Sequence, residues 1–179
     1  AIKNGKLDIF MPDSINKLIY QISADNLNKN TTLYFPNVGN SSIAVKFAQE
    51  NNTSYNFYGD ELNSKSYNLT ALLWILNNIK IENLSQQDAF ANNKKAFADI
   101  IISTPPFFRR SSDDKSIKQF EIESKDNVVL AIQDAIKKLK NNGKAFILVK
   151  EALLFGLTKD YLNIRKKLVD EKLLEAVIS

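Results

Sequence analysis

Chemistry in this chain must come from carboxylates, hydroxyls, amides and aromatic faces, because its 179 residues include no Cys and no His. Thiol nucleophiles, Cys/His zinc sites and any mechanism with imidazole as base are excluded. The sharpest local pattern is Ser103-Thr104-Pro105-Pro106-Phe107-Phe108, directly after the apolar run Ala98-Asp99-Ile100-Ile101-Ile102. Two prolines lack N–H groups and stiffen the chain, so nearby carbonyls project toward a ligand. Phe107 offers a flat face to a planar substrate. A Pro-Pro turn that merely ends a strand is the alternative reading.

Three further places have suitable residue types. Phe35-Pro36-Asn37-Val38-Gly39-Asn40-Ser41-Ser42 reads as a turn into a helix start, where backbone N–H groups receive a polar ligand and Gly39 allows close approach. An ordinary turn also accounts for one Gly. Glu61 follows at about the twenty-residue interval at which an acidic group holds the ribose hydroxyls of a nucleoside cofactor, or it serves the dipole of a helix start. Asp88-Ala89-Phe90 reads as a reader of an adenine amino group with Phe90 beside the ring, or as an N-cap with a core Phe. Arg109 and Arg110, beside Phe108, read as phosphate contacts near a target-binding face, or as a solvated charge run.

These residues need a scaffold that brings strand ends together. Short apolar runs are predicted as strands at 31–35, 55–58, 81–87, 98–103, 144–150 and 174–178, the fourth buried on both faces. Amphipathic spacing predicts helices from Pro12 and Asp13 to Ile22, from Ser41 or Ser42 through Ala48, and over 64–78, 128–139 and 160–171. Residues 107–124 are polar without a clear period and read as a mobile loop. Strands separated by helices imply right-handed crossovers and a doubly wound α/β, mostly parallel sheet. Ligands in such sheets sit outside the carboxyl ends of the strands. That edge collects Gly39, Glu61, Asp88 and the Pro-Pro segment.

Composition bounds the rest. The chain is 44% hydrophobic and 25% charged, ordinary globular usage for one domain over 1–179, with 1–30 as a helical lead-in and 31–179 as the sheet. No apolar run approaches the ~18 residues of a membrane span, and the first residues do not form a leader. Absent Cys agrees with a reducing cytoplasm. A start without Met and an end inside the apolar run at Ile178 read as an excised domain. Net charge is +4, and 21 of the 24 basic residues are Lys. Lys and Asn both have A/T-rich codons, so the excess records genome composition as readily as phosphate binding.

A strand followed by Asn/Asp-Pro-Pro-Phe/Tyr marks the class I methyltransferases that use S-adenosylmethionine to methylate exocyclic or amide nitrogens, and Thr104-Pro105-Pro106-Phe107 resembles it. The wider pattern resembles the modification (M) subunit of type I restriction-modification systems, adenine-specific DNA methyltransferases. Phe10-Met11-Pro12, Tyr58-Gly59-Asp60-Glu61-Leu62-Asn63, Asp88-Ala89-Phe90 and the stretch from Leu139 to Leu154 resemble its Phe-Tyr-Thr-Pro, Gly-x-Glu-x-Asn, third acidic and Leu-Lys-x-Gly-Gly segments. The resemblance covers nearly the whole chain and implies a Rossmann-like sheet truncated before its last strand.

The resemblance also implies roles. Pro36, Gly39, Glu61, Asp88 and Ala89 hold S-adenosylmethionine. Thr104, the Pro105 carbonyl, Pro106 and Phe107 hold a flipped adenine, and no metal is needed. Specificity and restriction subunits complete the assembly. Five family positions differ: where the family's first strand ends Asp-Pro-x-Cys-Gly-Ser-Gly this chain has Phe35, Val38, Asn40 and Ser41 for the Asp, Cys, Ser and last Gly, and Thr104 stands where the catalytic Asn/Asp stands. The readings that follow are methyl transfer to adenine in DNA, an impaired scaffold binding DNA or a protein partner, and methyl transfer to RNA or a protein Gln amide. Phe35→Asp is expected to restore a cofactor carboxylate.

Overall fold

The computed structural model describes residues 12–50, 55–108, 110 and 115–178. Its centre is a parallel sheet of β1 (Thr32–Pro36), β2 (Asn56–Asp60), β3 (Leu84–Ser85), β4 (Ala98–Ser103) and β5 (Leu139–Ile147). Their spatial order is β3-β2-β1-β4-β5. Leu33 lies opposite Phe57 on one side and Ile100 on the other, and Ile101 opposite Ala145. The order reverses at β1, which places the switch point between β1 and β4, where crevices open at the carboxyl edge.

Alternation along the strands fills both faces. Leu33, Phe35, Ile100 and Ile102 face a cluster with Ile19 of α1 (Asp13–Ser23), Phe47 of α2 (Ser42–Glu50) and Trp74 of α3 (Ser64–Leu76). Tyr34, Ala98 and Ile101 face Ala135 of α4 (Asn127–Lys138). Outside α4, Leu153 of α5 (Glu151–Phe155) and Ile164 of α6 (Lys159–Asp170) join Val129 and Ile132. Helices therefore cover both faces of the sheet, as the spacing predicts.

Several elements differ from the sequence reading. The expected strand over 81–87 reduces to Leu84–Ser85 behind a 3-10 turn at Ile81–Asn83, because β3 pairs β2 at only two positions. The fifth strand runs from Leu139 to Ile147 instead of 144–150. Its start bulges: Ala98 pairs Leu139 while Ile100 pairs Lys144, with Asn142 at φ 64° in between. Residues 174–178 form no strand. Leu174, Val177 and Ile178 are exposed there, and the outer edge of β5 carries no neighbour among the described residues.

The segment read as a mobile loop is packed over its described part. A 3-10 helix at Lys115–Gln119 is followed by Phe120 and Ile122, and Ile117 and Phe120 are buried against Phe90 and Leu130. Helix α3 keeps Tyr67, Ala71 and Trp74 of its apolar pattern against the core, while Leu72 and Ile75 of that pattern are exposed. Its buried stripe is Ser66, Thr70 and Trp74, while Leu69, Leu72, Ile75 and Leu76 face outward.

Candidate active site at the carboxyl edge

The polar stripe of α3 explains the turn after β1. Thr70 Oγ1 donates to the Gly39 carbonyl at 2.7 Å, and Trp74 Nε1 donates to Ser41 Oγ at 2.6 Å. Asn37, Gly39 and Ser41 have φ of 57°, 59° and 63°. The left-handed region suits Gly39 but costs a side-chain-bearing residue about 1–2 kcal/mol. At Ser41 that cost is offset by the indole bond. A Cβ on Gly39 would meet only the Asn37 carbonyl oxygen, at 3.9 Å, so the turn opens onto space.

Glu61, just past β2, closes this turn from beside it. Its Oε2 accepts the Gly39 N–H at 2.9 Å and its Oε1 the Asn63 N–H at 2.7 Å. Asn63 in turn caps α3 by accepting from Lys65 N and Ser66 N. The carboxylate is buried at the edge, its two oxygens held in one orientation with lone pairs to spare.

Asp88 accepts the Phe90 N–H at 3.0 Å and caps the 3-10 turn Ala89–Ala91. A buried network fixes this loop from below. Lys138 Nζ donates to the Ala89 carbonyl (2.7 Å), to Asp134 Oδ2 (2.8 Å) and to Tyr34 Oη (3.3 Å). Tyr34 Oη donates to Asp60 Oδ2 at 2.5 Å, and Gln87 and Asn92 donate to the same carboxylate at 2.8 Å each. Burial pushes the Asp134 carboxyl up to about 6 against the pull of Lys138, and pushes the Tyr34 hydroxyl well above its ordinary value. Every one of these groups has a partner, which is the condition for tolerating charge in a core.

The Pro-Pro segment leaves β4 at the same edge. Asn127 Nδ2 donates to the carbonyls of Pro106 (3.1 Å) and Phe108 (2.8 Å), and Lys150 Nζ to that of Phe107 (3.3 Å). Lys150 is itself held by Asp126 at 2.7 Å. Burial acts to raise the Asp126 carboxyl. Lys150, the Tyr161 hydroxyl at 2.6 Å and the Val128 N–H outweigh it and hold it below the usual range. Pro105 is buried and Thr104 half-buried. Among the described residues none hydrogen-bonds to Thr104 Oγ1 or to the Pro105 carbonyl. Neither acceptor is therefore committed within the described residues.

The edge thus unites Pro36, Gly39, Glu61, Asp88, Ala89, Thr104, Pro105, Pro106 and Phe107, on neighbouring strand ends. Three expectations change, and for Phe90 the core-ring alternative holds. Phe35 is not at the edge: its ring stacks on Phe57 at 6.0 Å inside the core, so Phe35→Asp would bury an unpaired charge instead of restoring a cofactor ligand. Phe90 is a core ring, edge-on to Phe120 at 5.6 Å. Phe107 packs partly on the α4–α6 cluster, with Phe108 the more exposed ring. Arg110 points inward, with its side chain 12% exposed and paired with Asp88, instead of facing a DNA backbone. Arg109 lies outside the described residues.

Sequence reasoning missed Thr70, Asn127 and Lys150, which hold the site's backbone. Only Asp126-Asn127 at a helix start carried a readable signal, as a cap. A cavity of about 430 Å³ lies at the opposite edge, among Asn26, Lys29, Asp99, Lys140 and Gly143 at the amino ends of the strands. It is remote from these groups.

The residues fit a nucleoside cofactor. Asn37 Nδ2 is buried and without a hydrogen bond beside the open Gly39 turn, and Glu61 and Asp88 supply acceptors on the next two strand ends. Ser103 Oγ, on β4, is also buried without a hydrogen bond. No helix among the described residues is long and apolar enough to cross a membrane.

The family model described as N-6 DNA Methylase matches residues 1–179. The methylase subunit of the type I restriction enzyme MpnII of Mycoplasma pneumoniae is 26% identical, over 96% of this chain and 36% of that protein. A type I restriction-modification methyltransferase subunit from Streptococcus thermophilus superimposes with a TM-score of 0.76, at 25% identity over 90% of this chain and 38% of that one. A protein from Listeria monocytogenes described as a class I S-adenosylmethionine-dependent methyltransferase gives 0.78, at 22% identity over 93% and 54%. The chain spans little more than a third of the Mycoplasma relative.

Proposed function

The chain belongs to the N-6 DNA methylase family, and from that premise we propose that it transfers the methyl group of S-adenosylmethionine to the exocyclic amine of adenine in DNA. The observation that carries this reading is the convergence of the Gly39 turn, Glu61, Asp88 and the uncommitted acceptors of Thr104 and Pro105 on one sheet edge. The Glu61 bonds to Gly39 and Asn63 hold the turn and fix the carboxylate in the orientation that a nucleoside needs.

S-adenosylmethionine, when bound, supplies an electrophilic methyl group on a sulfonium. The chain's own residues do the rest by positioning. Glu61 accepts from the ribose hydroxyls, and Asp88 from the adenine amine of the cofactor. Gly39 lets the backbone approach closely. The target adenine must leave its duplex to reach this edge. Thr104 Oγ1 and the Pro105 carbonyl accept hydrogen bonds from its amine and aim the lone pair at the methyl group. Phe107 packs partly on the α4–α6 cluster with its carbonyl fixed by Lys150, and the part of its ring left open lies against the base. Asn127 holds the carbonyls on either side of it, so the two acceptors keep their direction.

The printed name of the Mycoplasma relative assigns it to a type I restriction enzyme. On that likeness the full-length protein works in the cytoplasm with specificity and restriction subunits. Incubation of that assembly with DNA and tritiated S-adenosylmethionine tests the proposal. Label in DNA supports it; label only in RNA or protein, or none, refutes it.

A further inference from the structure

One side chain ties the two halves of the site together. Arg110 grips Asp88 with both arms of its guanidinium, NH1 to Oδ2 at 2.7 Å and NH2 to Oδ1 at 3.0 Å. Its Nε donates to Asn127 Oδ1 at 2.7 Å, and its Cζ lies over the Phe90 ring, 4.5 Å from the ring centre. Asn127 passes the connection on, through its Nδ2, to the carbonyls of Pro106 and Phe108. An unbroken hydrogen-bonded path therefore runs from the cofactor-adenine carboxylate to the target loop. Asn127 is fully buried and the Arg110 side chain only 12% exposed, so the inner end of the path is shielded from water and its charge-assisted bonds are strong there.

We propose that Arg110 is a positioning residue that couples cofactor binding to target-base binding, each tightening the other. The proposal rests on the roles given above to Asp88 and to the Thr104–Phe107 loop.

The relay is built from rigid planes. A carboxylate only accepts, and Asp88 already serves both arms of Arg110 and the Phe90 N–H. An adenine amine arriving there must share those lone pairs, so the guanidinium is re-aimed. Its three nitrogens are fixed in one fork, and a turn at NH1 and NH2 also turns Nε. The Asn127 amide is planar too: a shift at its oxygen is felt by its nitrogen and by the Pro106 and Phe108 carbonyls. A loop ordered by the first ligand costs the second less to bind. Linkage makes the effect reciprocal.

Calorimetry on the full-length protein tests this, with S-adenosylhomocysteine as cofactor probe and single-stranded oligo(dA) as target-pocket probe. In wild type, saturating oligo(dA) is expected to tighten S-adenosylhomocysteine by about fivefold or more, and the converse by the same factor. Arg110→Lys keeps the charge without the fork, and Arg110→Ala removes both. In each, both probes still bind singly and the coupling factor falls below about twofold. Thermal melts confirm that Arg110→Lys stays folded. Coupling kept at the wild-type factor in the two variants overturns the proposal, even if both affinities weaken in parallel, as a merely structural role would produce. So does wild type that binds both probes independently. Absence of S-adenosylhomocysteine binding to wild type overturns the cofactor reading itself, and the coupling falls with it.

Discussion

Gly39 and Glu61 are joined across two neighbouring strand ends, the Gly39 N–H donating to Glu61 Oε2 at 2.9 Å. With Glu61 Oε1 taken by the Asn63 N–H, both oxygens are needed as acceptors before any ligand arrives. Glu61→Gln keeps the shape but turns one acceptor into a donor facing a backbone N–H. The expected cost is about 1–3 kcal/mol of stability. Affinity for S-adenosylhomocysteine should fall about tenfold or more, equivalent to roughly 1.4 kcal/mol. Thermal melts and calorimetry check the two effects, and unchanged affinity would remove Glu61 from the cofactor site.

Ser41 gives a sharper contrast, because strain and a hydrogen bond oppose each other at one residue. Ser41→Ala keeps the left-handed strain and leaves the buried Trp74 N–H without its acceptor, at a cost of about 1–3 kcal/mol. Ser41→Gly loses the same bond but relieves about 1–2 kcal/mol of strain. Denaturant unfolding should therefore rank wild type or Ser41→Gly above Ser41→Ala. An alanine variant more stable than the glycine one would mean that the turn is not under strain.

Asp126 makes the stability depend on acid. Its pKa is lowered in the folded state by Lys150, Tyr161 and the Val128 N–H, against the effect of burial. A lowered carboxyl contributes stability above its unfolded pKa, about 4, and loses it as pH falls through the folded value. Asp126→Asn should destabilise the protein at pH 7 by about 1–3 kcal/mol. It should also flatten the loss of melting temperature below about pH 4. Parallel pH profiles for the two proteins would contradict the assignment.

Much of this architecture is legible before any coordinates. The unbroken run in β4 shows burial on both faces, and Ile100, Ile101 and Ile102 fill the two cores in alternation. Glu61 and Asp88 can be placed from their position after strands alone. Other features depend on long-range partners that local pattern does not contain. Trp74 faces inward as an apolar residue of its helix should, but polar Thr70 is buried beside it, where its hydroxyl meets the Gly39 carbonyl. Arg110 reads as surface charge, yet Asp88 lies 22 residues away in sequence and 2.7 Å away in space. Residues 174–178 have strand composition, but a strand also requires a neighbour.

Thr104 tests the central claim most directly. It offers one hydroxyl acceptor where the family pattern has an amide or carboxylate, beside the Pro105 carbonyl. The measurement is nucleoside analysis of DNA after incubation with the full-length protein, its specificity partner and labelled S-adenosylmethionine. Wild type should yield label in N6-methyladenine. Thr104→Ala should lower the rate by about 10²–10³-fold, and Thr104→Asn should raise it above wild type, by analogy with oriented donors worth roughly 2.7–4 kcal/mol each. No N6-methyladenine from a folded, partner-bound wild type, or a rate indifferent to Thr104, would contradict the account.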